Sequence, residues 1–332
     1  MKFGFYAFKS DSVQELTAYS MLADKLNFDY VWVPDEVPAK SYRDPFILLA
    51  AIGWNTQKIT IGTSITNPYT RHPALIASAF NSLYEITGGR VAIGISVGGE
   101  LPFKPLKIPM WNRPLTTMKE AVIIIRRLMN GEKVTFEGKI FNIENVELDP
   151  KPDKKVPILI GARGPKMLQL AGRFADGVLG SVPIPKIPYM IEMIKIGAEK
   201  EKRKLDDFVV SNGIPFAISK KREDAYNMVK PLIALLITFL SDFLVVESGV
   251  SKERMEKIRR AVRENNSNAT QELITEDIIN NFSVSGTTKD IISKLKEVKD
   301  MGVNSINVQP PFGDSIEYAL KTVSTNVMPH FK

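Results

Sequence analysis

The chain has 332 residues, of which 44% are hydrophobic, with two histidines, no cysteine and a net charge of +7. That length and apolar content suit a globular protein with a large core, and the missing cysteines exclude disulfides, thiolate metal sites and thiol catalysis, while two histidines leave no His-rich metal centre. The charge is spread over helix faces such as Lys195 to Lys204, which predicts a solvated surface and an anionic small-molecule ligand rather than nucleic acid.

The opening MKFGFYAF has one lysine and no apolar core of signal-peptide length. No run of about 18 apolar residues suits a membrane span. A cytoplasmic protein without a membrane partner is expected.

Residues 2–8 alternate as a first strand, and Ser12 is placed to cap a helix reaching Leu26. FDYVWV (28–33) is a second strand, closing on Pro34-Asp35-Glu36. Pro45 opens a helix to about Trp54. Lys58 to Thr63 is a third strand rich in β-branched residues. It gives way to a small polar elbow, Ser64-Ile65-Thr66-Asn67-Pro68, before Pro73 opens a helix. Gly88-Gly89 stops that helix, and RVAIGIS (90–96) is a fourth strand ending on Val97-Gly98-Gly99-Glu100. Thr116 and Thr117 suit the cap of a helix from Met118 to Met129. Residues 133–148 alternate around Gly138 as a β-hairpin insertion.

PILIG (157–161) is a fifth strand, followed by a helix from Pro165 to Phe174. Gly177 to Ser181 is a sixth strand, Pro188 to Arg203 a helix, and Phe208 to Ala217 a seventh strand. Residues 222–281 are helical and charged, longer than one barrel helix needs, and read as a helical insertion or lid. Lys289 to Met301 is amphipathic with Gly302 beyond it, Val303 to Val308 is an eighth strand, and Ser315 to Asn326 the last helix. Eight βα units predict a single (β/α)8 TIM barrel over residues 1–332, with the two insertions. A doubly wound sheet is the alternative, but no G-x-G-x-x-G follows the first strand.

In such a barrel the ligand lies at the carboxyl ends of the strands. Tyr6, Asp35-Glu36, the elbow, Val97 to Glu100 and Gly161 to Lys166 collect there. In Gly161-Ala162-Arg163-Gly164-Pro165-Lys166, small residues expose backbone N–H groups at a helix start beside two cations. That chemistry suits a phosphate or carboxylate, and equally an ordinary βα turn. Asp35 suits a turn cap or a hydrogen-bond acceptor for a ligand, and Glu36 and Glu100 are candidate acid/base groups. Trp32 and Trp111 read as core or loop anchors. His72, immediately before the Pro73 helix start, reads as structural, and no metal site is expected.

The stretches GTSITNPYTRHP, EITGGRVAIGIS and GARGPKMLQLAGRFADGV, with the opening MKFGF, resemble the bacterial luciferase-like superfamily. The similarity is greatest to its deazaflavin-using branch, the methylenetetrahydromethanopterin reductases of archaea. The resemblance implies a TIM barrel that is dimeric or tetrameric, and coenzyme F420 as cofactor, with FMN as the alternative. It implies hydride transfer to a tetrahydropterin, against an FMN monooxygenase or a non-catalytic cofactor-binding homologue. It also assigns residues. A non-prolyl cis peptide at Ser64-Ile65 backs the ring, with Thr66 and Asn67 contacting the cofactor. Asp35 stands near the ring's polar edge, and Val97, Gly98 and Gly99 lie along the tail. Ala162, Arg163, Gly164 and Lys166 meet the side chain and phosphate. The chain departs from the pattern on the substrate side: Glu36 stands where relatives have histidine, Tyr6 where the reductases have glutamate, and the acid near position 99 comes at Glu100. Glu36 and Glu100 are therefore the expected catalytic carboxylates.

Overall fold

The computed structural model describes residues 1–8, 12–36, 43–98, 103, 106–109 and 113–331. The barrel strands are β1 (Lys2–Tyr6), β2 (Tyr30–Val33), β3 (Thr60–Thr63), β4 (Val91–Ile95), β7 (Ile158–Ala162), β8 (Gly177–Gly180), β9 (Val209–Asn212) and β12 (Ser305–Val308). They hydrogen-bond in chain order and close, β12 returning to β1. The registered pairs are parallel, Trp32 opposite Gly62 and Ile95 opposite Ile160 among them. Helices α1 (Val13–Lys25), α2 (Pro45–Asn55), α3 (Pro73–Thr87), α4 (Pro114–Met129), α5 (Pro165–Phe174) and α6 (Ile187–Lys200) connect successive strands. This is a parallel (β/α)8 barrel.

Contacts group the chain into two units. One comprises Tyr6–Leu179 and Met193–Val210. In its interior Trp32 is fully buried against Ala92, Leu159 and Leu179, with Tyr6, Tyr30 and Ile65 packed on that cluster. The indole stacks on Tyr30 with ring centroids 5.0 Å apart, and it needs a glycine opposite, because a Cβ on Gly62 would stand 2.6 Å from the ring. The entry to β3 is fixed by two charged groups. The Asp24 carboxylate accepts from the N–H groups of Gln57, Lys58 and Ile59 at 2.8, 2.9 and 2.7 Å. The Arg90 guanidinium donates to the carbonyls of Ile59 and Thr56 at 2.6 and 2.8 Å. Satisfying these polar groups sets where the strand begins, and so fixes the start of the segment that leads to the elbow. The hairpin pairs β5 (Val134–Glu137) with antiparallel β6 (Asn142–Val146).

The other unit comprises Met1–Phe5, Gly180–Glu192 and Ser211–Lys332. It contains a parallel three-stranded sheet, β10 (Phe216–Ile218) between β11 (Val284–Gly286) and β13 (Pro311–Gly313). Five helices lie between β10 and β11: α7 (Arg222–Phe239), α8 (Asp242–Val246), α9 (Lys252–Arg263), α10 (Ser267–Leu273) and α11 (Glu276–Phe282). Then come α12 (Thr288–Asp300) and α13 (Ile316–Thr322).

The expected seventh strand, 208–217, is two strands in different sheets. Gly213 and Pro215 divide it, since proline lacks the N–H a central ladder requires. Gly213 N–H bonds Gly180 O at 2.8 Å and Pro215 O accepts from Val284 N–H at 2.9 Å, so each half follows a different neighbour. Helix α4 starts at Pro114 rather than after Thr117, with no side-chain cap. Proline pre-sets the first helical turn, and the Thr117 hydroxyl instead donates back to Arg113 O at 3.0 Å. The last helix, expected to reach Asn326, is regular only to Thr322 and continues as a π turn.

Candidate active site

The strand ends of β2, β3, β4 and β7 bring the expected loops together within one unit. The Ser64–Ile65 peptide is cis, the bond that the resemblance singled out. Beyond it, Thr66 N–H donates to Gly94 O at 2.9 Å and Ser96 N–H donates to Thr66 O at 2.9 Å. The Ser96 hydroxyl donates to Gly161 O at 2.7 Å. The elbow is thereby tied to the end of β4, and β4 to the end of β7. A Cβ on Gly161 would stand 3.1 Å from Ile65 Cγ2, so glycine lets the Ile65 side chain pack directly over β7. From β1, the Tyr6 hydroxyl donates to Ser64 O at 2.8 Å.

Asp35 is half-buried just past β2, and the Thr66 hydroxyl donates to its Oδ2 at 2.6 Å. Burial pushes the Asp35 carboxyl above the usual carboxylate range. The Thr66 hydrogen bond pulls it back, Asp44 and Glu36 push it up, and Arg71 lowers it. Asp35 Oδ1 makes no hydrogen bond with the described residues. One oxygen is thus held by the elbow, and the other has no partner among the described residues.

Thr66 is fully buried, so it acts through Asp35. Asn67 is also buried, and its Oδ1 accepts from the N–H groups of Tyr69 and Thr70 at 3.0 and 2.9 Å. Its carbonyl oxygen closes a turn. His72 caps α3, Nδ1 accepting from Ala74 N–H at 3.1 Å. Burial lowers its pKa, and the accepting Nδ1 gives the ring a capping role. Glu36 is exposed, Val97 half-buried, and Gly98 exposed with φ +68°. Gly99, Glu100 and Trp111 lie outside the described residues.

At the end of β7, Ala162 is buried while Arg163, Gly164 and Lys166 are exposed. Gly164 caps α5 with no side-chain hydrogen bond, so the first-turn amides of a ten-residue helix remain open to an anion. Among the described residues, no three His, Asp or Glu side chains are grouped to hold a metal ion, and no helix is long and apolar enough to cross a membrane. Sequence reasoning missed the tethering roles of Tyr6 and Ser96. Tyr6 ends β1 and Ser96 immediately follows β4, which was the only signal available.

A parallel barrel with its polar groups gathered at the strand ends defines a ligand-binding (β/α)8 protein of the enzyme type. Residues 1–305 match the family model of luciferase-like monooxygenases, and the chain belongs to that family. It is 32% identical to the 5,10-methylenetetrahydromethanopterin reductase of Archaeoglobus fulgidus, over 100% of both chains. It is 27% identical to an F420-dependent glucose-6-phosphate dehydrogenase of Nakamurella multipartita, over 96% of this chain and 92% of that one. The solved coenzyme F420-dependent tetrahydromethanopterin reductase of Methanopyrus kandleri superposes with a TM-score of 0.93, at 28% identity and 100% and 99% coverage.

Proposed function

We propose that the chain is a cytoplasmic F420-dependent oxidoreductase that transfers hydride to or from a small organic substrate, 5,10-methylenetetrahydromethanopterin first among them. The observation that carries this reading is the end-to-end similarity to the reductases, joined to a site whose groups fit the cofactor. Asp35 Oδ1 is an acceptor for the N–H edge of a deazaflavin ring. Ile65, seated over Gly161, is an apolar floor. Arg163, Lys166 and the open amides of α5 are donors for a phosphate. When bound, the deazaflavin supplies a two-electron hydride carrier.

The chain's own residues then position and desolvate. Thr66 holds Asp35, Tyr6 and Ser96 tether the elbow, and Val97 and Gly98 line the tail. Glu36 and Glu100 orient the substrate or move its proton. Adding F420 to the purified protein is expected to quench its fluorescence at micromolar concentration, with turnover in the presence of the pterin. Tight FMN binding without F420 affinity would instead make it a flavin monooxygenase.

We further infer that the chain self-associates. Ile47 and Trp54, seven residues apart on one face of α2, are 67% and 75% exposed, beside Leu75 at 59% on α3. An apolar stripe of that kind marks an interface. Trp54→Glu is expected to lower the sedimentation-derived mass to that of one chain. A parent protein that is already monomeric would refute the inference.

A further inference from the structure

The unit that holds the three-stranded sheet carries a cluster of buried polar atoms that the active site does not use. Ser211, Ser305 and Asn307 are 1, 0 and 4% exposed. Yet Ser211 Oγ, Ser305 Oγ and Asn307 Oδ1 have no hydrogen-bond partner among the described residues, each other included. Every other buried serine or asparagine among the described residues has one. Ser20 donates to Leu16 O at 2.7 Å, Ser219 to the Asp314 carboxylate at 2.6 Å, and Ser283 shares a bond with Ser285 at 2.8 Å. Asn212, next to Ser211, is satisfied twice, accepting from Val182 N–H at 3.0 Å and donating to Val182 O at 2.9 Å. The exceptions are not scattered. Ser211 of β9 is registered opposite Ser305 of β12, so their side chains leave the sheet on one face. Asn307 follows two residues along β12 and shares that face. Ser211 lies two residues beyond Val209, which packs on the Trp32 cluster, so the face is the interior of the barrel.

The path of the chain explains why these atoms do not pair directly. Among the described residues β9 and β12 share that one registered pair, whereas β1 and β12 share four. Both strands then run on into the three-stranded sheet, where Phe216 is opposite Pro311. Between the two pairings lie four residues on one side, 212–215, and five on the other, 306–310. The ladder therefore cannot continue in step. On the far side of Asn307, β1 presents Gly4, which has no side chain to fill the space. Buried polar groups persist when they are hydrogen-bonded. The partner here must be small, must donate to a carbonyl oxygen, and must exchange bonds with two hydroxyls. A water molecule meets all three demands with about three bonds, the usual number for a buried one. A bare cation would need more oxygen ligands and a compensating charge, and these three oxygens are neutral. Neighbouring strands stand about 4.8 Å apart, a gap that two hydrogen bonds of about 2.8 Å each bridge. We propose that an ordered water, held by Ser211, Ser305 and Asn307, is built into the barrel interior and completes the seam between β9 and β12.

A high-resolution crystal structure of the full-length chain is the first test. Density for a water within about 3.2 Å of Ser211 Oγ, Ser305 Oγ and Asn307 Oδ1 is expected. Hydrogen bonds made directly among the three side chains, with no water between them, would overturn the proposal. So would an anomalous peak at that point in crystals soaked in rubidium chloride, which would make the site a cation's. The second test is in solution, where oxygen-17 relaxation dispersion of the solvent counts waters that stay bound for longer than the protein tumbles. Ser211→Ala/Ser305→Ala is expected to lose the contribution of a single such water, because the site then keeps only the Asn307 oxygen. An unchanged count in that variant, with its fold intact by circular dichroism, overturns the site. If the variant does not fold, the density in the parent protein decides.

Discussion

Replacing Asp35 with alanine is expected to lower kcat/KM by about 10²-fold, the effect of removing one polar group aimed at a reacting system, without destabilising the fold. Burial raises the Asp35 carboxyl above its ordinary value, so the folded state binds the proton more tightly than the unfolded chain. The sign follows from linkage. Stability from this group is complete below the ordinary Asp value and is lost as pH rises through the folded one. At neutral pH the charged carboxylate therefore costs the fold free energy, and removing it relieves that cost while stranding one hydroxyl. The net change should stay within about 1 kcal/mol. Thr66→Val, nearly isosteric and fully buried, should produce a smaller loss of activity in the same direction. The double variant should be no worse than Asp35→Ala alone, because the threonine works through the carboxylate. Full turnover in Asp35→Ala would falsify the role; so would loss that merely tracks unfolded protein.

The expected separation of stability from activity at Asp35 also marks what sequence can convey about the site. Asp35, the elbow and the Arg163–Lys166 segment were legible because strand-loop-helix patterning delivers them to one end of the barrel, and the resemblance gave them roles. Their division of labour was not legible. Thr66 and Asn67 read as equivalent polar contacts, yet one hydroxyl is consumed by Asp35 and one carbonyl by a turn. That allocation depends on side-chain directions set by tertiary contacts. The buried polar cluster was invisible for a similar reason. Ser211, Ser305 and Asn307 look like ordinary strand residues until β9 and β12 pair.

The fold itself was readable where local chemistry and topology agree. Ser12 caps α1 through a complete capping box, and Gly88 ends α3 in the left-handed region at φ +63°. It failed where one apolar run serves two sheets. Nothing local distinguishes Val209–Asn212 from Phe216–Ile218 as members of different sheets. Only pairing with β8 and β12 on one side, and β11 and β13 on the other, separates them. The three-residue strands β11 and β13 are too short to carry a periodicity at all.

The tightest constraint on the site is a glycine at which even one methyl group is excluded, and Gly94→Ala is expected to cost more than about 4 kcal/mol, in the range reserved for severe core disruption. A Cβ there would stand 1.9 Å from Thr63 O and 2.8 Å from Leu179 Cδ1. The leucine tip can rotate away, but the carbonyl belongs to β3 and cannot. Relief requires β4 to retreat from β3. Gly94 O accepts both the Thr63 hydroxyl at 2.7 Å and the Thr66 N–H at 2.9 Å, so retreat also releases the start of the elbow. Stability and cofactor affinity should therefore fall together, unlike at Asp35. Gly164→Ala provides the contrast, since a Cβ there meets nothing within 4 Å. Its stability should change by no more than about 0.5 kcal/mol, as at an open surface position. Denaturant midpoints for the two variants measure this directly. A Gly94→Ala midpoint close to that of Gly164→Ala would mean that β3 and β4 are not closed together as described.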